Sequence, residues 1–279
     1  MPSRAVLITG CSSGIGRATA AHLRAKGWTV YATARRPETL ADLEAQGCRT
    51  LPLDVTGEES MSAAVRAVED AEGAVGVLVN NAGYSQSGAV ESVPLDRVRA
   101  QFETNVFGLV RMCQLVLPGM RAQGWGRIVN LSSMGGRFTF PGGGVYHATK
   151  HAVEALSDAL RFEVAGFGVR VIVIEPGLIR TSFSETAVAG IEAPAGPYAD
   201  FNAAVARSTA GAYEKGPLAR LGGPPEAVAE RIAHALSVRR PRSRYTVTPS
   251  ARFMIGQHAL LRDRGWDALM RTQFPRPGS

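Results

Sequence analysis

Tyr146 and Lys150, four residues apart, are the side chains of this chain best suited to move a proton. At the start of a helix that spacing puts both on one face. A free phenol titrates near pH ~10, too high for a useful base at neutral pH, and a neighbouring ammonium lowers that value by favouring phenolate. The chain has 6 Tyr, and Lys26, Lys150 and Lys215 are its lysines, in 279 residues. Roughly 0.06 Tyr-x-x-x-Lys pairs are then expected by chance, so coincidence is a weak explanation. Ser132 and Ser133 follow the apolar run 128–131. A hydroxyl just past a strand's carboxyl end can hold a substrate oxygen, although a turn or cap role competes for either serine alone.

A second group could hold a phosphorylated cofactor. Thr9–Gly16 reads TGCSSGIG, with Gly10, Gly14 and Gly16 spacing Ser12, Ser13 and Ile15. Such glycines permit a tight turn and a close approach of backbone to pyrophosphate, and the following helix offers its free N–H groups and positive dipole end. A lone glycine-rich turn is equally compatible with plain turn chemistry; the strand–turn–helix context favours phosphate. The next strand ends at Arg35 and Arg36 with no acid nearby. Two guanidiniums there suit the 2′-phosphate of NADP, where an acid would suit the NAD ribose; an ordinary exposed loop is the competing reading.

These residues need a frame. Apolar runs at 6–9, 29–33, near 50–53, 75–79, 128–131 and 169–174 read as buried strands. Between them lie helical patterns, such as Met61, Ala64, Val65 and Val68 at i, i+3, i+4 and i+7, a stretch near 106–120, and a long helix starting near Tyr146. Strands alternating with helices predict an α/β fold: a Rossmann-like, doubly wound parallel sheet. From 178 to about 221 the pattern weakens into Ala, Gly, Pro and Ser. This stretch reads as a linker or, better, as a mobile substrate lid, since it follows a strand's carboxyl end. A helix after Pro224, an edge strand at 245–248 and an amphipathic segment at 253–270 interrupted by Gly265 complete the chain. The expected organisation is one domain over 1–279, with a cofactor-binding core at about 4–177, the lid at about 178–221, and C-terminal helices and edge strand at about 222–279.

Composition excludes other classes. With 45% hydrophobic and 20% charged residues, the chain can bury a sizeable core. It has no secretory pattern and no apolar run near the roughly 18 residues of a membrane span, so no integral span is expected. Its 3 Cys (Cys11, Cys48, Cys113) are far apart and odd in number, against a disulfide framework or metal site and in favour of a reducing cytoplasm. The net charge of +7 reads as a solvated basic face, with attraction of an anionic partner such as nucleic acid, a membrane surface or a phosphorylated cofactor as the competing reading. The densest cluster, Arg239, Arg240, Arg242 and Arg244, lacks interleaved aromatics, and no nucleic-acid partner is expected.

Taken together, TGCSSGIG, Leu53–Val55 (LDV), Asn80–Gly83 (NNAG), Asn105, Ser132–Ser133, Tyr146–Lys150 (YHATK) and Glu175–Gly177 (EPG) resemble the short-chain dehydrogenase/reductase family from Ala5 to about Thr181. TGCSSGIG and the RYTVTP segment resemble its 17β-hydroxysteroid and retinol dehydrogenase branch. The resemblance implies an NADP(H)-dependent oxidoreductase that interconverts a lipophilic secondary alcohol and ketone, or alcohol and aldehyde. Its alternative is an NADP(H) sensor without turnover. It implies Tyr146 as general acid/base, Ser133 steadying the substrate oxygen, Lys150 binding the nicotinamide ribose, and Asn105 holding a relay water. Asp54 and Val55 would flank adenine. Asn81, Ala82 and Gly83 would line the cofactor cleft, and Pro176, Gly177 and Thr181 would lie near the nicotinamide. A homodimer or homotetramer is implied as well. Beyond the motifs, His147 and His151 read as helix residues facing elsewhere, with contact between His147 and substrate as the lesser alternative; Cys11 reads as a small buried side chain, and Phe138, Phe140, Tyr198, Phe201 and Tyr213 as pocket or packing residues.

Overall fold

The computed structural model describes residues 1–191, 196–214 and 217–278. Seven parallel strands form one sheet in the order β3-β2-β1-β4-β5-β6-β7: β1 Val6–Ile8, β2 Val30–Ala34, β3 Arg49–Pro52, β4 Val77–Asn80, β5 Gly126–Leu131, β6 Val169–Pro176 and β7 Arg244–Val247. The order reverses between β1 and β4, which opens a crevice at their carboxyl ends.

Alternation along β1 sorts the helices onto two faces. Val6 and Ile8 point to one side, where α1 (Gly14–Ala25), α2 (Ala41–Ala45) and α10 (Pro225–Ser237) bury Ala20, Leu23, Leu43, Val228 and Ile232. Leu7 points to the other, against α3 (Glu58–Glu72), α5 (Gly108–Ala122) and α6 (Gly144–Glu163) through Val65, Val68, Met112, Val116 and Val153. Both faces are covered, so β1, β2, β4 and β5 are buried along their whole length. A third cluster lies beyond the sheet's carboxyl edge. It joins Phe138 to Phe201 and Val205 of α8 (Ala199–Glu214) and to Met254, Trp266 and Met270 of α11 (Pro249–Arg271).

Three stretches differ from the sequence reading. The helix expected near 106–120 begins earlier, as α4 (Leu95–Phe102) continued through a π-turn at Glu103–Phe107 into α5. Only Gln101 of α4 is buried, so it leaves no apolar stripe to read. The weakly patterned stretch after β6 carries α7 (Phe183–Ala189), α8 and α9 (Pro217–Arg220). The C-terminal segment is interrupted at Arg262, whose φ of 53° breaks α11 into two helices, and not at Gly265. Arg244 of the basic cluster is drawn inward, between Glu154 and Asp158 of α6 and Glu175 of β6.

Candidate active site

The glycine turn is shaped by approaches that no side chain could survive. A Cβ at Gly16 would collide with the Gly10 carbonyl and stand 2.5 Å from Asn81 Nδ2, and one at Gly10, where φ is +73°, would stand 2.9 Å from the Ala82 backbone. The space is taken because Asn81 stitches the end of β4 to the end of β1. Its Nδ2 donates to the Thr9 and Gly10 carbonyls at 2.9 Å each, while the Asn81 and Ala82 N–H groups donate to Thr9 Oγ1 at 3.0 Å. The crevice edge is thus set by hydrogen bonds between two loops. The first turn of α1 holds no acidic residue, and the Ser13 side chain makes no cap. Its N–H groups therefore face the crevice unspent, which fits a pyrophosphate.

A second polar chain positions the reactive helix. Asn80 Nδ2 donates to Asn130 Oδ1 at 3.0 Å, and Asn130 Nδ2 donates to Ser157 Oγ at 2.9 Å, linking β4, β5 and α6 through the core. Above it, Asn105 sits in the π-turn. Its Nδ2 donates to the Tyr84 carbonyl and to Thr149 Oγ1, and its Oδ1 accepts from the Tyr84 N–H. Thr149 in turn donates to the Tyr146 carbonyl at 2.7 Å. Both amide hydrogens of Asn105 are thereby spent on holding the loop after β4 against α6.

Lys150 is buried and donates from Nζ to the Leu131 carbonyl at 2.8 Å. Nζ stands 5.7 Å from the centroid of the Tyr146 ring. Burial pulls its pKa down to about 8, opposed by the charge of Glu154 one turn on. Ser133 Oγ accepts from the Gly135 N–H at 3.1 Å, which leaves its own O–H to donate elsewhere. The Ser132 hydroxyl is buried against Gly136 and Glu154 instead.

One cleft of about 1600 Å³ gathers these groups. Gly10, Ser12, Ser13, Gly14, Ile15, Arg35, Asp54, Val55, Asn81, Ala82, Gly83, Ser133, Tyr146, Lys150, Pro176, Gly177 and Thr181 all line it. Gly16, Arg36 and Asn105 do not: Gly16 and Asn105 support the lining from behind, and Arg36 turns with the loop after β2. Asp54 spends Oδ1 on the N–H and hydroxyl of Thr56. Thr181 closes over the glycine turn, within 3.2 Å of where a Gly14 Cβ would be.

The sequence reading missed several neighbours. Arg17 binds the Ser12 and Thr39 carbonyls and pairs with Asp42, clamping the glycine turn to the loop after β2. Its place one residue past TGCSSGIG was the available signal. Val205 and Thr209 of α8, and Met254, Leu269 and Phe274 from the C-terminal segment, line the other end of the cleft, and no motif announces them. Of the aromatics, Phe140 lines the cleft, Phe138 and Phe201 pack in the third cluster, and Tyr198 bonds Glu91. The Tyr213 side chain lies outside the described residues.

Comparison with known proteins places the chain in a family. Residues 4–191 match the family model described as short chain dehydrogenase, and the chain belongs to that family. It is 34% identical over 277 residues to the NADPH-dependent 3-dehydrocapnine reductase of Ornithobacterium rhinotracheale, covering 95% of each chain. It is 41% identical over 186 residues to the 3-ketodihydrosphingosine reductase of Bacteroides thetaiotaomicron, covering 66% of this chain and 67% of that one. The crystal structure of a short-chain dehydrogenase from Streptomyces avermitilis superposes with a TM-score of 0.78 at 34% identity, over 97% of this chain and 98% of that one. The protein is accordingly an oxidoreductase of CH–OH groups that works with a nicotinamide cofactor. Among the described residues no helix is long and apolar enough to cross a membrane, and no cluster of three or more His, Cys, Asp or Glu could hold a metal.

Proposed function

We propose that the protein is an NADP(H)-dependent reductase of lipophilic ketones or aldehydes, with oxidation of the matching alcohol as the reverse. The observation that carries this reading is the convergence of Ser133, Tyr146 and Lys150 in the same cleft as the uncapped α1 N-terminus. The nicotinamide supplies or accepts a hydride when bound. Tyr146 exchanges the proton with the substrate oxygen. Ser133 uses its free O–H to hold that oxygen where charge develops. Lys150 favours the phenolate electrostatically and binds the nicotinamide ribose. Asn105 and Lys150 face each other across Gly83, whose Cβ would meet Asn105 Oδ1 at 3.0 Å and Lys150 Nζ at 3.9 Å; a relay water held there by Asn105 completes the proton path.

Arg35 on the cleft wall and Arg36 beside it favour the 2′-phosphate, and the NADPH-dependent relative supports that choice. Asp54 and Val55 flank adenine, and Pro176, Gly177 and Thr181 border the nicotinamide. The apolar end of the cleft suits a lipophilic chain or ring. Exposed Phe107 at the α4–α5 turn and Phe162 on α6 support a homodimer or homotetramer, which light scattering would size.

The test is NADPH oxidation with steroid, retinoid and long-chain 3-keto substrates, the first two arms following the hydroxysteroid and retinol branch and the third the two named relatives. Turnover should appear with NADPH, exceed that with NADH, and fall at least ~10³-fold in Tyr146→Phe. NADPH binding without turnover of any arm would mark a sensor instead.

A further inference from the structure

Beside Tyr146, the cleft holds a second built polar group that the proton path does not use. His147 is 7% exposed and lines the cleft, its ring centroid 5.6 Å from that of Tyr146 and 5.9 Å from that of Phe140. Its orientation is fixed from two sides. Nδ1 accepts the Phe140 N–H at 3.2 Å. The ring fills the space that side chains at Gly135 and Gly143 would need: their Cβ atoms would fall 2.8 Å from Nε2 and 2.9 Å from Nδ1.

A neutral imidazole carries one hydrogen, and an accepting Nδ1 places it on Nε2. Burial holds the ring neutral by pulling its pKa down to about 4, with the charge of His151 adding to the effect. Among the described residues no acceptor engages Nε2, and the atom is not sealed from the cleft. A nearly buried donor that the protein leaves unanswered costs stability unless water or a ligand answers it.

We infer that His147 Nε2–H is a substrate-binding donor that reads a second oxygen next to the reacting carbonyl, so that the preferred substrates are β-oxygenated ketones with an apolar tail. This deepens the reductase reading and rests on it. With the two ring centroids 5.6 Å apart, one small substrate can meet both Tyr146 and His147. An uncharged donor recognises a neutral acceptor, such as an ester, amide or hydroxyl, and gives a carboxylate no ion pair. The tail would run toward Val205, Met254 and Leu269.

The test compares ethyl 3-oxohexanoate with 4-nonanone, which keeps the nine-atom chain and the carbonyl position but lacks the ester oxygens. A buried hydrogen bond answered by one and not the other should make the ratio of kcat/KM about 10 in favour of the oxo ester. Two variants separate the ring's two nitrogens. His147→Gln keeps a donor near the Nε2 position and should keep the preference. His147→Asn keeps an acceptor near Nδ1 for the Phe140 N–H but places no donor at the Nε2 position, and its ratio should fall toward 1. A ratio near 1 in the parent protein, or an unchanged ratio in His147→Asn, would overturn the assignment. Absence of turnover with both compounds would count against the reductase reading, and binding then decides separately for His147. In ¹⁵N-labelled protein the Nε2 resonance should shift saturably with the oxo ester and not with nonanone; no shift sinks the proposal whatever the turnover.

Discussion

The two ends of the cleft are built on opposite principles. At the cofactor end, β1, β4 and α1 meet with backbone against backbone. Glycines at 10 and 16 leave the space, and Asn81 and Thr9 fill it with hydrogen bonds of about 3 Å. At the other end, a roof of rings does the work. Phe138 packs edge-on against Trp266 at 5.2 Å and against Phe140 at 5.0 Å, with Trp266 Nε1 donating to the Thr139 carbonyl. Hydrogen bonds are directional and tolerate little displacement, whereas ring packing accepts exchange of similar volumes. A protein whose cofactor is fixed and whose substrate varies across its family has reason to put geometry at one end and volume at the other.

Substitutions can break that contrast apart. Trp266→Ala should cost about 4 kcal/mol of stability in denaturant titration and raise KM for apolar ketones, while the Kd for NADPH holds within twofold. An equal loss of NADPH affinity would mean that the two ends are mechanically one. Gly16→Ala should cost about 3 kcal/mol and produce the reverse pattern, with NADPH binding weakened at least ~10-fold in fluorescence titration.

Titration sharpens the contrast at the boundary. His147 is held neutral in the fold down to about pH 4, while its unfolded value is 6.5. The unfolded chain therefore binds the proton first, so stability is intact above 6.5 and is lost as pH falls from 6.5 to 4, by about 3 kcal/mol. Urea midpoints across that range should fall less in His147→Asn than in the parent. Lys150 has the same sign at higher pH. Its folded value of about 8 lies below 10.5, so the cost of charging it in the fold is absent above 10.5 and fully present below 8. Lys150→Met should therefore raise stability at pH 7 by about 2 kcal/mol, net of the lost bond to Leu131, and melt several degrees higher while turnover collapses. A lower melting temperature would show that the buried ammonium is better compensated than its surroundings suggest.

Why one end was legible in the sequence and the other was not follows from the same contrast. The cofactor end is written in short contiguous motifs, because backbone turns need particular residues at fixed offsets. TGCSSGIG, NNAG and YHATK each fall on one local structure, and each brought part of its residues to the cleft. The sheet was legible because strands covered on both faces are plain apolar runs. The roof joins residues 138, 201, 254 and 266, which share no period and no motif, so Met254 and Leu269 could not be read as cleft residues. Asn105 was legible as a residue but not as part of a π-turn, because Leu95–Phe102 buries Gln101 alone and carries no stripe.

The bond from Trp266 to the Thr139 carbonyl spans 127 positions of sequence. A chain leaving the ribosome in order has β1 through β6, the glycine turn and the Tyr–Lys helix in hand long before Trp266 arrives. For that interval the nascent protein has a cofactor crevice beneath an unroofed floor of aromatic side chains. Until then Phe138 and Phe140 lack the indole cover that Trp266 gives both rings in the folded chain.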